Sequence, residues 1–362
     1  MWIQIFLLNT FIGVLLIEWA WKKTKPLRQR KPELEAQYPA FARFDKWNKS
    51  IYYLGAPMII PKVILAVITF LIIWTSMSLI TLGQKYDDFN AVHGWRATLA
   101  KLVGKFAGRA LLILVGLQIT YEEIDFDYTP YLGKDYKKNQ KLPPHTPSAI
   151  VGTGHSSVVD NMTMLRRYGC TFVAKESLRK YPILGTCLTG QGMIFVNRGG
   201  TEEERQRNID VIVRRQQLCE ERGDYVLQCI FAEGTTHNNK FTLPLKRGAF
   251  IAERSLLPVC VDFKSDQIYP FHDTKYLTQL LILKVALFFQ IKCIVKELPV
   301  FLPNEYLFET HKDKGKERWE IYAWAIRDAL SIANKKPKLD ISLSTKLEFE
   351  TQLGYRKPIK QE

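Results

Sequence analysis

Residues 63–82, VILAVITFLIIWTSMSLITL, run for twenty positions without a charge. At about 1.5 Å per residue such a helix reaches about 30 Å, the thickness of a bilayer's hydrocarbon core, so the pattern predicts a membrane span. Residues 2–21 are a second apolar segment. Glu18 sits near its end, and Trp2, Trp19 and Trp21 lie where interfacial aromatics belong. It is expected either to span or to insert halfway as an anchor. A cleaved leader is not expected, because neither a basic start nor a small-residue cleavage site precedes Trp21-Lys22-Lys23. Residues 83–105 read as a polar helical connector, and 106–120 as a third, re-entrant membrane element.

After residue 148 the pattern changes to short apolar runs separated by helical stretches. A strand is expected over Ser148–Gly152, then a helix over Ser157–Tyr168 that stops at Gly169. Strands follow at 170–175 and Gly192–Val196. Thr201 and Glu204 make a capping box that opens a charged helix ending at Arg222-Gly223. Val226–Phe231 and Leu256–Phe263 are further strands. This alternation predicts an α/β domain with a mostly parallel sheet flanked by helices, preceded by N-terminal membrane helices. Residues 276–290, YLTQLLILKVALFFQ, are too short to span and carry Lys284, which suits an interfacial or core helix. From Lys335 the chain is polar, proline-punctuated and expected to pack loosely. The organisation read in this way is 1–105, membrane-anchoring with its connector; 106–335, the α/β domain; and 336–362, a tail.

Charge narrows the partners. The net charge is +15, with 47% hydrophobic residues. An anionic partner is expected, and since there is no zinc-finger spacing or RNP-like aromatic motif, lipid is favoured over nucleic acid. The basic stretch KKTKPLRQRK (22–31) would lie on the cytoplasmic or matrix side. Two spans would put the large domain on the opposite side, and a re-entrant 106–120 would reverse that, so sidedness stays open. The six cysteines (170, 187, 219, 229, 260, 293) contain no CxxC, and the six histidines no HExxH, so neither a disulfide framework nor a metal site is expected.

Residues 150–162, IVGTGHSSVVDNM, carry the candidate chemistry. As a phosphate loop, Gly152-Thr153-Gly154 lacks a third glycine. As a nucleophile elbow, Gly154-His155-Ser156-Ser157-Val158 lacks the closing glycine. The third reading pairs His155 with Asp160. Five residues on a regular helix would set them about 140° apart. They meet only if His155 sits in the turn ahead of the helix, with Ser156 or Ser157 as its cap. A carboxylate on one imidazole nitrogen would then fix the tautomer and leave the other nitrogen to take a proton.

Three stretches downstream add to this one: GMIFVNR (192–198), FAEGTT (231–236) and LPV (257–259). With GHSSVVD they resemble, in order and rough spacing, the four motifs of the glycerolipid acyltransferases: N-H-x4-D, G-x-x-F-x-x-R, F-P-E-G-T and a proline strand. LPLKRGAF (243–250) resembles the family's basic segment, and KESLRKYPILG (175–185) its linking segment. The resemblance covers about 148–303. It is nearest to the lysophosphatidylcholine acyltransferase branch, which also has H-S-S after the motif histidine. Three positions depart from it: Gly154 stands for Asn, Asn197 for the Asp of many relatives, and Ala232 for the proline of the third motif. No calcium-loop sequence follows the domain.

The resemblance implies transfer of a fatty acyl group from acyl-CoA, a co-substrate, to the hydroxyl of a lysophospholipid, with no resident cofactor or metal. It implies His155 as base and Asp160 as its orienting acid. Arg198, Lys246 and Arg247 are candidates for the acceptor phosphate. Glu233 and Gly234 resemble the acceptor-binding pair, with Thr235 as a cap or phosphate contact and Lys175 as a further binding candidate. The endoplasmic reticulum membrane is the expected location, with a mitochondrial membrane as alternative. The alternative function is a lipid-binding structural subunit of a larger membrane complex.

Overall fold

The computed structural model describes residues 1–138, 142–197, 200–265, 267–269, 275–287 and 291–356. Among the described residues, seven strands form two sheets: β1 Leu117–Glu123, β2 Ala149–Thr153, β3 Val173–Lys175, β4 Ile194–Val196, β5 Gln228–Phe231, β6 Leu256–Lys264 and β7 Ile291–Glu297. The main sheet has the order β1-β7-β6-β2-β5, and β3 pairs with β4 in a second, parallel one. Every neighbour in the main sheet is parallel except β6 and β7. Consecutive residues of the central strands feed opposite faces. Ile150 and Cys229 enter one apolar cluster, while Ala149, Val151 and Ile230 enter the other. Both faces are therefore covered by helices, which explains why β2 reads as an unbroken apolar run.

Two strands escaped the sequence reading. The expected re-entrant element over 106–120 does not form. Its first part continues the 21-residue helix Gly94–Leu114, and its last residues begin β1. Within the apolar run at 276–290, Leu277–Val285 is a helix, and β7 begins at Ile291, just past the run. Lys284 and its neighbours Leu280 and Leu283 are buried, so this helix belongs to the core.

Two helices, Trp2–Lys23 and Ala56–Thr81, are long and apolar enough to cross a membrane. On the first, exposed apolar residues gather toward Met1–Phe11, while Ile17 and Ala20 are fully buried against the rest of the fold. Helix Gly94–Leu114 lies between the second of these helices and the helix Val158–Tyr168. The tail does not pack loosely over Leu343–Gln352. Residues Leu343–Gln352 form a helix. Its Phe349 sits 5.5 Å from the Tyr38 ring and 6.0 Å from that of Phe41.

Candidate active site

Strands β2 and β5 are parallel neighbours, with Gly152 beside Phe231. Both chains therefore leave the sheet at the same edge, and the turns that follow them meet. Gly154 makes the first turn at φ +76°, where a Cβ would lie 2.3 Å from the Val261 carbonyl oxygen, so only glycine fits. Ser157 then caps the helix Val158–Tyr168, and Gly169 ends it in the left-handed region.

His155 lies in the turn before that helix, and its Nδ1 is 2.8 Å from Asp160 Oδ2. The same oxygen accepts the amide hydrogens of Ser156 (2.5 Å) and Ser157 (2.8 Å). Asp160 is fully buried, whereas the His155 side chain is 22% exposed. The carboxylate is a receiver of protons from three directions, so Nδ1 carries the imidazole hydrogen and Nε2 keeps its lone pair. The ring stacks on Phe231, with centroids 4.4 Å apart and planes 15° apart. Backbone, carboxylate and aromatic face together leave the imidazole little freedom.

The second turn brings Glu233 beneath the first. Its Oε2 accepts the amides of Gly154 (2.9 Å) and His155 (3.0 Å) and lies 3.0 Å from His237 Nε2. His237 Nδ1 accepts the Asn239 amide, and the His237 amide donates to the His155 carbonyl (2.8 Å). Burial alone would raise the Glu233 carboxyl. His237 beside it and the His155 amide more than offset this and hold it below the usual carboxylate range. Glu233 was expected to meet an acceptor hydroxyl. It is instead 2% exposed and committed to the protein's own groups, so it serves as the clamp between the two turns.

A cleft of about 400 Å³ opens over His155 and Phe231, and Gly234, Thr235 and Lys246 line it as well. Two other expected residues are not on its wall. Arg247 reaches back to Gln206 of the helix Glu202–Arg222 (3.4 Å). Lys175 ends β3, exposed and away from the cleft lining. Arg198 lies outside the described residues. The sequence reading missed Phe231 as the ring under His155, His237 as the partner of Glu233, and the tail residues Leu343, Lys346 and Leu347 on the cleft wall. The four-residue interval from Glu233 to His237 was a usable signal, but nothing in the tail's composition pointed to this cleft.

Comparison with known proteins finds similarity to acyltransferases. The family model Acyltransferase matches residues 135–263. The lysophospholipid acyltransferase LPEAT1 of Arabidopsis thaliana is 26% identical over 74% of this chain and 67% of its own length. A lysophosphatidylcholine acyltransferase of Drosophila melanogaster is 25% identical over 81% of this chain and 50% of its own. The chain thus spans between half and two thirds of these relatives. Among solved structures, the 1-acyl-sn-glycerophosphate acyltransferase PlsC of Thermotoga maritima aligns over 76% of this chain and 96% of its own, at 16% identity and a TM-score of 0.42.

Proposed function

We propose that this chain moves a fatty acyl group from acyl-CoA to the free hydroxyl of a lysophospholipid, a reading supported by the match of residues 135–263 to the Acyltransferase family model. The observation that carries the reading is the His155–Asp160 contact at 2.8 Å, on the edge of a cleft and beside Phe231. With Nδ1–H held by the carboxylate, Nε2 is the proton acceptor. It removes the hydroxyl proton as that oxygen attacks the thioester carbon. The imidazolium so formed is stabilised by Asp160. It returns the proton to the sulfur as the carbon–sulfur bond breaks, releasing CoA and leaving the new ester. The base is regenerated in each turnover, and the scheme calls for no covalent enzyme intermediate and no resident cofactor.

Ser156 and Ser157 have other work. The Ser156 hydroxyl donates to the Gly154 carbonyl, and Ser157 caps the helix. Both are buried, which disfavours either as a nucleophile. Two membrane-length helices joined to the domain suit substrates whose acyl chains lie in a bilayer. The test is turnover by the detergent-purified full chain, with a panel of lysophospholipids and several acyl-CoAs. Transfer to at least one acceptor, lost in His155→Ala, is expected. No transfer to any acceptor would remove the reading and favour a lipid-binding subunit.

A further inference from the structure

The turn after β5 does more than place Glu233. Gly234 has φ +70°, and the Lys246 side chain passes close beside it, with Cγ 3.3 Å from where a Cβ would stand. The next residue, Thr235, is 5% exposed, and its Oγ1 has no hydrogen-bond partner among the described residues. Thr236 Oγ1 receives the ammonium of Lys346 at 2.5 Å. Lys346 is 7% exposed and comes from the helix Leu343–Gln352. All four side chains line the His155 cleft.

The charge of that wall is uneven. Lys246, Lys346 and Arg356 line it, and Glu350 is the one carboxylate among the described lining residues. Glu350 is already paired with Arg356 at 2.6 Å. Two lysines and two threonines thus line the same cleft beside a glycine turn. This donor set matches an anion with several oxygens, and a phosphate offers them. The lysine is also placed firmly. Its helix is fixed by Phe349 against Tyr38 and Phe41, and by Gln352 Nε2 donating to Tyr38 Oη at 2.9 Å.

We propose that the C-terminal helix completes a phosphate-binding site, with Lys346 joining Lys246, Thr235 and Thr236 on the wall of the His155 cleft. The proposal rests on the acyltransferase reading only for the source of the phosphate, which is either the lysophospholipid acceptor or the CoA of the donor.

The experiment compares the full chain with Lys346→Met, Lys346→Arg and Thr235→Val. The first readout needs no catalysis: the rise in thermal midpoint produced by inorganic phosphate. Phosphate should stabilise the parent and Lys346→Arg, and stabilise Lys346→Met and Thr235→Val much less. Equal stabilisation of all four, or none of the parent, overturns the site. The second readout is steady-state kinetics. Lys346→Met should raise one KM about tenfold or more, as expected for a lost charge-assisted contact, while kcat stays within about threefold. Arg should restore most of it. A rise for the lysophospholipid assigns the site to the acceptor, and a rise for acyl-CoA assigns it to the donor. Unchanged KM values for both substrates overturn the proposal. Absence of turnover in the parent removes the acyltransferase reading and leaves the phosphate shift to decide the site. If Lys346→Met does not fold, Thr235→Val carries the same comparison, since it removes one hydroxyl and keeps the side-chain shape.

Discussion

Asp160 Oδ2 receives three hydrogens, one from the His155 ring and two from the backbone of the turn. Replacing it by Asn keeps the shape but removes the charge that stabilises the imidazolium, so kcat should fall severely. His155→Ala should lower kcat by about 10²–10⁴, the usual worth of a general base, with the thermal midpoint little changed. Ser157→Ala should show the reverse profile, losing about 1 kcal/mol of stability with its cap while turnover persists. An acyl-enzyme that builds up when acceptor is withheld, and is absent in a serine variant, would contradict the proposed base. Glu233 gives a pH signature. Its folded pKa is lowered, so the clamp's contribution is fully present above the ordinary carboxylate pKa. It is lost as pH falls through the lowered value. Thermal unfolding of the parent should therefore weaken steeply on acidification below about pH 4.3. Glu233→Gln should be less stable at neutral pH and show a shallower acid slope.

At the scale of elements, the helix Gly94–Leu114 backs the helix that carries Asp160. A Cβ on Gly108 would lie 2.5 Å from the Arg166 amide nitrogen and 2.6 Å from the Met162 carbonyl oxygen. These are backbone atoms, so the helices must move apart. Gly108→Ala should cost about 1–3 kcal/mol and lower kcat as well, read by thermal unfolding and kinetics together. An unchanged midpoint would show that the two helices do not press on each other here. This scale also marks what the sequence could reveal. The helix Glu202–Arg222 was legible because its cap, Thr201 with Glu204, and its stop at Gly223 are local signals. The meeting of His155 with Asp160 was legible for the same reason. β1 was not, because it follows the helix Gly94–Leu114 almost directly and the boundary between the two periods is hidden within one apolar run; β7 begins just past another apolar run and was missed with it. Glu233 was visible as a motif residue, but its role as a clamp depends on β2 and β5 leaving the sheet side by side, which no local pattern encodes.

For the whole molecule, Trp2–Lys23 and Ala56–Thr81 are long and apolar enough to cross a membrane, and many of their apolar residues are exposed. The full chain should stay with membranes through an alkaline carbonate wash, since the second helix has no charge after Lys62 to offset its apolar transfer energy. Recovery in the supernatant would remove these helices from the bilayer. The sheet order adds a consequence in time. Leu117 at the start of β1 pairs with Ile291 at the start of β7, and β1 has no other partner strand among the described residues. During synthesis, the anchoring helices and β1 emerge long before the strand that β1 requires. With the two candidate spans inserted, the nascent chain would be tethered to a membrane while an unpaired strand waits, a state in which long-range pairing is slow and aggregation competes. A ribosome-bound chain halted just before residue 291 should expose β1 to protease or to a chaperone, and one extended past β7 should not.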